Sequence, residues 1–369
     1  EEQLSLNTPC RERLAYDEVL ANQLALALVR TQRRRRTGRS IKSSGDLRQK
    51  LLDSIPFSLT PSQVAAVDEI TADLASDQRM HRLLQGDVGS GKTVVALLAM
   101  AAAIEAGHQA ALLAPTEILA RQHFATIEPL ARAVGISIQL YTGRDKGTAR
   151  AAILEGFKTG STQLAVGTHA LFQEGVEFKD LAFSVIDEQH RFGVHQRLAL
   201  SGKGEASDVL VMTATPIPRT LTLTAYGDMD SSRLTEKPEG RQPIDTRTFP
   251  LERLDEIVSA VQRALAQSAK IYWICPLVEE SEALDLAAAE DRYAHLKQVF
   301  GAQVGLVHGK MKGPDKDAVM QNFAGSGIDI LVATTVVEVG VDVREATVMV
   351  IEHAERFGLA QLHQLRGRI

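Results

Sequence analysis

Eight consecutive residues constrain this chain more than any other feature. Gly86-Asp87-Val88-Gly89-Ser90-Gly91-Lys92-Thr93 fits the pattern G-x-x-x-x-G-K-T. It stands between the apolar run Arg82–Gln85 and a stretch in which Val94, Leu97, Leu98 and Ile104 recur at helical spacing. Glycines let a backbone curl until several N–H groups face one phosphate, and the helix that follows adds the positive end of its dipole. Lys92 can then reach the β- and γ-phosphates, and the Thr93 hydroxyl can ligate Mg²⁺. The string predicts a site for ATP and Mg²⁺ made by Gly86, Asp87, Val88, Gly89, Ser90, Gly91, Lys92 and Thr93. It also demands a strand–loop–helix unit, which excludes an all-helical or all-β chain.

The flanking sequence repeats that unit. From Phe57, short apolar runs alternate with helical stretches: 82–84, 110–114, 137–141, 163–167, 183–187 and 208–212. Such runs read as buried parallel strands joined by crossover helices, the doubly wound α/β arrangement. The Pro-, Gly- and charge-rich EKPEGRQP, 236–243, breaks the rhythm. It then restarts with 246–249, 270–278, 303–309, 329–335 and 347–353, and with helices expected over 251–267 and 281–300. The expected division is a helical linker with a basic stretch over 1–55, a first lobe over 56–240 and a second over 241–369. In the linker Tyr16, Leu20, Leu24 and Leu28 form one stripe of a helix that Thr8-Pro9 can start. Arg33-Arg34-Arg35-Arg36 beyond it is either a solvated face or a phosphate-contacting patch.

A phosphate loop needs a carboxylate on a second strand. Phe183-Ser184-Val185-Ile186 runs into Asp187-Glu188, which places both acids at a strand's carboxyl end. Asp187 would hold the metal, and Glu188 would orient or deprotonate the attacking water. Phe57-Ser58-Leu59-Thr60-Pro61-Ser62-Gln63 has two readings that can coexist. One is a capping box with Thr60 as N-cap, Pro61 first in the helix and Gln63 closing it. The other is an adenine contact by Gln63 with Phe57 packed nearby. His190 and His195 lack zinc spacing and read as hydrogen-bonded network residues. Trp273, in an apolar strand, reads as core.

Bulk properties narrow the class further. With 369 residues the chain has room for two or three domains. A net charge of -5 excludes gripping nucleic acid by a general positive field, so any contact must come from loops and helix ends. No apolar run reaches the roughly 18 residues of a membrane span, and the acidic, polar start is unlike a secretory signal. Cys10 and Cys275 have no metal spacing, which fits free thiols in a reducing cytoplasm.

The ordered series GDVGSGKT, APTE, GTHAL, DEQH, TATPIPRT, ATTVVEVGVD and QLRGR resembles the motifs of superfamily 2 helicases, from Phe57 to the end of the chain. IDEQHRFGVHQRLAL, MTATPIPRTLTLTAYGD, VGLVHGKMK and GLAQLHQLRGR are similar to the RecG family of bacterial DNA helicases. The resemblance implies two RecA-like doubly wound parallel-sheet lobes and an ATP-dependent motor that remodels stalled forks and branched junctions in recombination and repair. Duplex translocases that do not separate strands, and a nucleotide-switched DNA-binding module, are the alternatives. In this light Gln63 resembles the adenine-reading residue, and Lys92, Thr93, Asp187 and Glu188 the catalytic and metal set. Thr213 and Thr215 resemble the residues coupling hydrolysis to strand binding, and His190 the link between them and the acids. Pro115, Thr116, Thr168 and Thr334 match backbone contacts to nucleic acid. Gly340 and Asp342 match nucleotide and ribose contacts, and Gln364 and Arg368 the motif that reaches the γ-phosphate. The implied partners are branched or forked DNA and, as a further candidate, single-stranded DNA-binding protein, with the chain a cytoplasmic bacterial monomer. The family carries a wedge domain ahead of the motor, and a further arginine and a hairpin after it. The expectation is therefore that this chain is a motor-core piece of a longer protein.

Overall fold

A parallel strand covered on both faces needs apolar side chains on both, so its sequence reads as a continuous apolar run rather than an alternation. All but one of the runs noted above are such strands. The computed structural model describes residues 8–34, 38–173, 175–188, 207–214, 229–236, 244–276, 282–334, 343 and 345–369. Two compact units make up the chain. One comprises Glu1–Gly86, Ser90–Pro115 and His123–Lys237, the other Asp87–Gly89, Thr116–Gln122 and Pro238–Ile369.

The first unit is built on seven strands: β1 (His81–Gly86), β2 (Gln109–Leu113), β3 (Ile138–Tyr141), β4 (Leu164–Gly167), β5 (Leu181–Asp187), β6 (Asp208–Thr213) and β7 (Asp230–Leu234). They lie in the order β3-β4-β2-β5-β6-β1-β7, every pair parallel. Side chains alternate across the sheet with period two. Leu112, Leu164, Val166, Phe183 and Val185 join one core, and Ala111, Leu113, Ala165 and Ile186 join the other.

On the first face lie α2 (Asp46–Ser54), α3 (Pro61–Ala75) and α4 (Lys92–Glu105). The Val94, Leu97, Leu98 and Ile104 stripe does not define a single face of α4. Every residue from Val95 to Ile104 is buried, because α2 and α3 cover the side that would otherwise meet water. Ile41 and Leu51 are part of that core. The segment before α3 is tied down by bonds from Gly38 N to Asp77 O (2.8 Å) and from Ile41 N to Leu74 O (2.7 Å). Glu105 accepts from Gly45 N (2.8 Å) and Leu47 N (2.9 Å), a carboxylate satisfying the amino end of α2.

Two expectations need correction. Strand β7, Asp-Ser-Ser-Arg-Leu, has no apolar run to announce it. Its place is secured by polar contacts: Arg82 of β1 donates to Asp73 (2.8 Å), Glu69 (3.0 Å) and Ser232 (2.9 Å). Conversely, 246–249 is no strand. Residues 245–250 are exposed and have no regular structure, because the alternation of Thr-Arg-Thr-Phe finds no sheet to pair with.

The amino-terminal helix is present as α1 (Pro9–Arg34), with Arg11 N donating to Thr8 Oγ1 (3.4 Å). Its stripe of Tyr16, Leu20, Leu24 and Leu28 is exposed. Arg33 and Arg34 end the helix, and Arg35 and Arg36 lie outside the described residues.

In the second unit, β8 (Lys270–Ile274), β9 (Val304–Val307), β10 (Ile330–Ala333) and β11 (Ala346–Ile351) form a parallel sheet ordered β11-β8-β10-β9. Helices α7 (Leu254–Leu265), α8 (Glu282–Phe300), α9 (Gly313–Ala324) and α10 (Leu359–Arg366) accompany it. Tyr272, Ile274, Leu331 and Ala333 face one core, and Ile271, Trp273, Ile330 and Val332 the other. Trp273 is fully buried, as the sequence implied. Among the described residues no helix is long and apolar enough to cross a membrane. Of the two cysteines, Cys10 is exposed and Cys275 buried.

Candidate functional site

The parallel order of the first sheet settles where the phosphate loop and the acids stand. Strand β6 lies between β1 and β5, with Gln85 level with Thr213 and Met212 level with Asp187. Gly86, Thr213 and Asp187 therefore leave the sheet side by side at its carboxyl edge. That edge is where open α/β sheets bind ligands.

The loop after β1 is shaped by two glycines. A Cβ on Gly86 would meet Ser90 Oγ at 2.5 Å and Leu234 Cβ at 2.9 Å. Gly91 has φ +85°, a left-handed conformation glycine adopts without penalty, and a Cβ there would run into the Gln63 amide. Gly91 is the N-cap of α4, and its carbonyl accepts from Val94 N (3.0 Å) and Val95 N (3.2 Å). Helix α4 opens with Lys92 and Thr93, so its unpaired amides lie at the loop. The Lys92 ammonium donates to Gly86 O (2.7 Å), across the mouth of the loop.

Gln63 closes the expected capping box and touches the loop as well. Its Oε1 accepts from Thr60 N (2.8 Å), Thr60 Oγ1 accepts from Gln63 N (3.3 Å), and its Nε2 donates to Ser90 O (2.8 Å). The side chain is buried. Phe57, expected nearby, is 53% exposed. Glu236 also reaches this helix end, accepting from Ser62 N (2.9 Å).

Asp187 is buried where β5 ends. Burial alone would push its pKa up. The hydrogen bond and charge of His123 and the charge of Lys92 outweigh this and hold it below the ordinary carboxylate value. Glu188 follows with φ +50°, a left-handed conformation that costs a non-glycine residue about 1–3 kcal/mol and tends to persist at functional sites. Its N–H donates to Met212 O (3.0 Å) and its Oε1 accepts from Ala214 N (2.9 Å), tying the acid to the strand end that carries Thr213.

One residue here had no signal in the sequence reading. His123 lies on α5 (Glu117–Ala133). Its Nε2 is 2.8 Å from Asp187 Oδ2 and its Nδ1 is 3.5 Å from Thr93 Oγ1.

Farther along the same carboxyl edge, β2 ends level with β4 and β5, Leu113 opposite Gly167 and Ile186. Pro115 and Thr116 follow β2, and Thr168 follows β4. Thr116 Oγ1 accepts from Leu119 N (3.3 Å), and Thr168 Oγ1 from Ala170 N (3.4 Å), so each caps a helix start. In the second unit, Thr334 follows β10 and is buried, Gln364 is buried in α10, and Arg368 lies two residues past that helix. Thr215, His190, His195, Gly340 and Asp342 lie outside the described residues.

Residues 60–224 match the family described as DEAD/DEAH box helicase, and residues 251–369 match the helicase conserved C-terminal domain. The ATP-dependent DNA helicase RecG of Haemophilus influenzae is 50% identical over 367 residues, 98% of this chain and 53% of the relative. Both matched segments are helicase domains, and the chain is similar to RecG along nearly its whole length. RecG of Bacillus subtilis is 49% identical over 362 residues, 97% of this chain and 53% of its own length. A solved structure of RecG bound to a three-way DNA junction is 44% identical, with a TM-score of 0.82 over 97% of this chain and 47% of that one. The chain thus spans about half the length of the RecG proteins it matches. The DEAD-box helicase Mss116 bound to single-stranded RNA has a TM-score of 0.66 at 17% identity, over 89% of this chain and 70% of that one. At that identity the likeness speaks for the fold alone.

Proposed function

We propose that this chain is the ATP-hydrolysing motor of a DNA helicase that remodels branched DNA, such as stalled forks and junctions. The observation that carries the reading is the shared carboxyl edge of the first sheet. Nucleotide-binding elements leave β1, β6 and β5 there, and the helix starts at Pro115-Thr116 and Thr168 leave the adjoining β2 and β4.

At that edge the residues fit a triphosphate and its metal. The glycine-shaped loop and the first amides of α4 offer N–H donors to phosphate oxygens, and Lys92 adds a positive charge. Thr93 hydroxyl and the ionised Asp187 are hard oxygen donors suited to Mg²⁺, which takes one or two protein ligands and completes its shell with phosphate and water. When bound, such a cation would supply positive charge against the phosphates. Glu188 accepts the proton of the attacking water, oriented by its bond to Ala214 N. Gln364 and Arg368 are assigned to the γ-phosphate, Gly340 and Asp342 to nucleotide and ribose, and Thr213, Thr215 and His190 to coupling. Thr116, Thr168 and Thr334 bind the strand by its phosphates, which fixes position without reading sequence.

The test is phosphate release by the purified chain with forked, linear or no DNA. Release stimulated by DNA, most by the fork, is expected, and turnover indifferent to DNA would refute the motor reading.

A further inference from the structure

The residues that metal and nucleotide need are not in contact only with one another. The His123 imidazole has Asp187 Oδ2 2.8 Å from one ring nitrogen and Thr93 Oγ1 3.5 Å from the other. Its side chain is 13% exposed, and that of Asp187 11%. An ionised carboxylate can only accept, so Nε2 donates to Asp187, while Nδ1 faces the threonine hydroxyl. One side chain therefore addresses both protein groups assigned to the metal.

Its position in the chain gives that contact a direction. His123 lies on α5, and the turn at Pro115-Thr116 starts that helix, with Thr116 Oγ1 accepting from Leu119 N (3.3 Å). Thr116 precedes His123 by seven residues, about two helical turns along the chain. A displacement of α5 would move His123, and with it the hydrogen-bond partner of Asp187.

We propose that His123 is a positioning residue that orients Asp187 and Thr93 for the metal and links their orientation to strand binding at the start of α5. This rests on the ATP-motor reading. His123 touches neither nucleotide nor reacting atoms in it. It acts as outer partners of metal ligands do, by fixing the ligand's orientation.

The experiment titrates Mg²⁺ into the whole chain with a fluorescent, non-hydrolysable ATP analogue, with and without a single-stranded oligonucleotide. Wild type, His123→Ala and His123→Gln are compared. The Gln amide can still donate to Asp187. The alanine variant is expected to need about 10–100-fold more Mg²⁺ for half-saturation, while analogue binding in EDTA stays at the wild-type level. Glutamine is expected to recover most of the loss, which a general packing defect would not allow. The oligonucleotide is expected to lower the Mg²⁺ requirement of wild type and not that of the alanine variant. A wild-type Mg²⁺ requirement in His123→Ala, or an undiminished response to the oligonucleotide, would overturn the inference and leave the ATP reading standing. If wild type itself binds the analogue without regard to Mg²⁺, the metal assignment falls first and this inference with it.

Discussion

The Gln63 amide donates a 2.8 Å hydrogen bond to the Ser90 carbonyl, while its oxygen accepts from Thr60 N. One buried side chain thus closes the cap of α3 and braces the phosphate loop. Gln63→Ala removes both. Losing the cap interaction costs about 0.5–2 kcal/mol, and the unmatched Ser90 carbonyl adds to that. The expected outcome is a lower thermal midpoint together with weaker nucleotide binding. Gln63→Glu keeps the cap but cannot donate to Ser90. It should therefore retain most of the stability and lose the nucleotide affinity, as measured by melting and by fluorescent-nucleotide titration.

Lys92 and Glu188 separate binding from chemistry. Lys92→Ala removes a charge and the bond to Gly86 O, and is expected to abolish ATPase activity with only a small change in melting temperature. Glu188→Gln keeps the shape and can still accept from Ala214 N through its amide oxygen, but is a poor base. General-base catalysis contributes typically 10²–10⁴-fold. The variant is expected to bind nucleotide normally and to lose turnover by about that factor. Steady-state kinetics with a parallel binding isotherm tests both.

What was legible in the sequence was local. Gly86–Thr93 and Asp187-Glu188 are contiguous strings, each beside its own apolar run, so neither needs knowledge of a distant partner. His123 became visible only when α5 packed beside β5, sixty-four residues away. Strand β7 was hidden because Leu234 alone of its five residues enters the apolar core, while Ser232 is held by Arg82. Residues 246–249 misled for the opposite reason, having a strand-like alternation and no sheet to join. The stripe on α4 was real but incomplete, since nothing in its own residues announces that Ile41, Leu51 and Val67 cover its outer side.

Asp208 is a built-in liability at high pH. It is 3% exposed at the start of β6, accepts from Met80 N (2.6 Å), and burial pushes its pKa up to about 7. Between about pH 4, where the unfolded carboxyl ionises, and pH 7, the folded chain holds a proton that the unfolded chain has lost. Stability attributable to this group therefore falls as pH rises across that window and is level above it. Asp208→Asn accepts from Met80 N without a charge. It is expected to gain about 2–4 kcal/mol over wild type at pH 8 and little at pH 4, read from denaturation midpoints at the two pH values.

The two thiols are predicted to differ sharply in reactivity. Burial, and then the charge of Glu352, push Cys275 up to about 12, whereas Cys10 is exposed. The thiolate is the nucleophile, so a maleimide probe at neutral pH is expected to label the native chain once, at Cys10, and twice only after unfolding. Peptide mapping of the labelled chain checks the site.

Trp273 is the single tryptophan and lies fully buried in β8, so its fluorescence reports the second unit alone. Its indole N–H donates to Glu352 Oε1 (2.5 Å), and Arg292 pairs with the same carboxylate through Nε (2.5 Å) and Nη2 (3.0 Å). Removing one partner of a buried pair leaves the other uncompensated, at a cost of about 3–5 kcal/mol. The Arg292 side chain is 19% exposed, so water relieves part of that cost and the low end applies. Glu352→Ala is expected to lower the unfolding free energy read by tryptophan fluorescence by about 3 kcal/mol, while nucleotide binding to the first unit is retained. Glu352→Gln keeps an acceptor for the indole but not the opposite charge, and should fall between the two. If the fluorescence midpoint of Glu352→Ala matches wild type, the carboxylate does not hold the second unit together, and Trp273 is kept in place by its apolar neighbours alone.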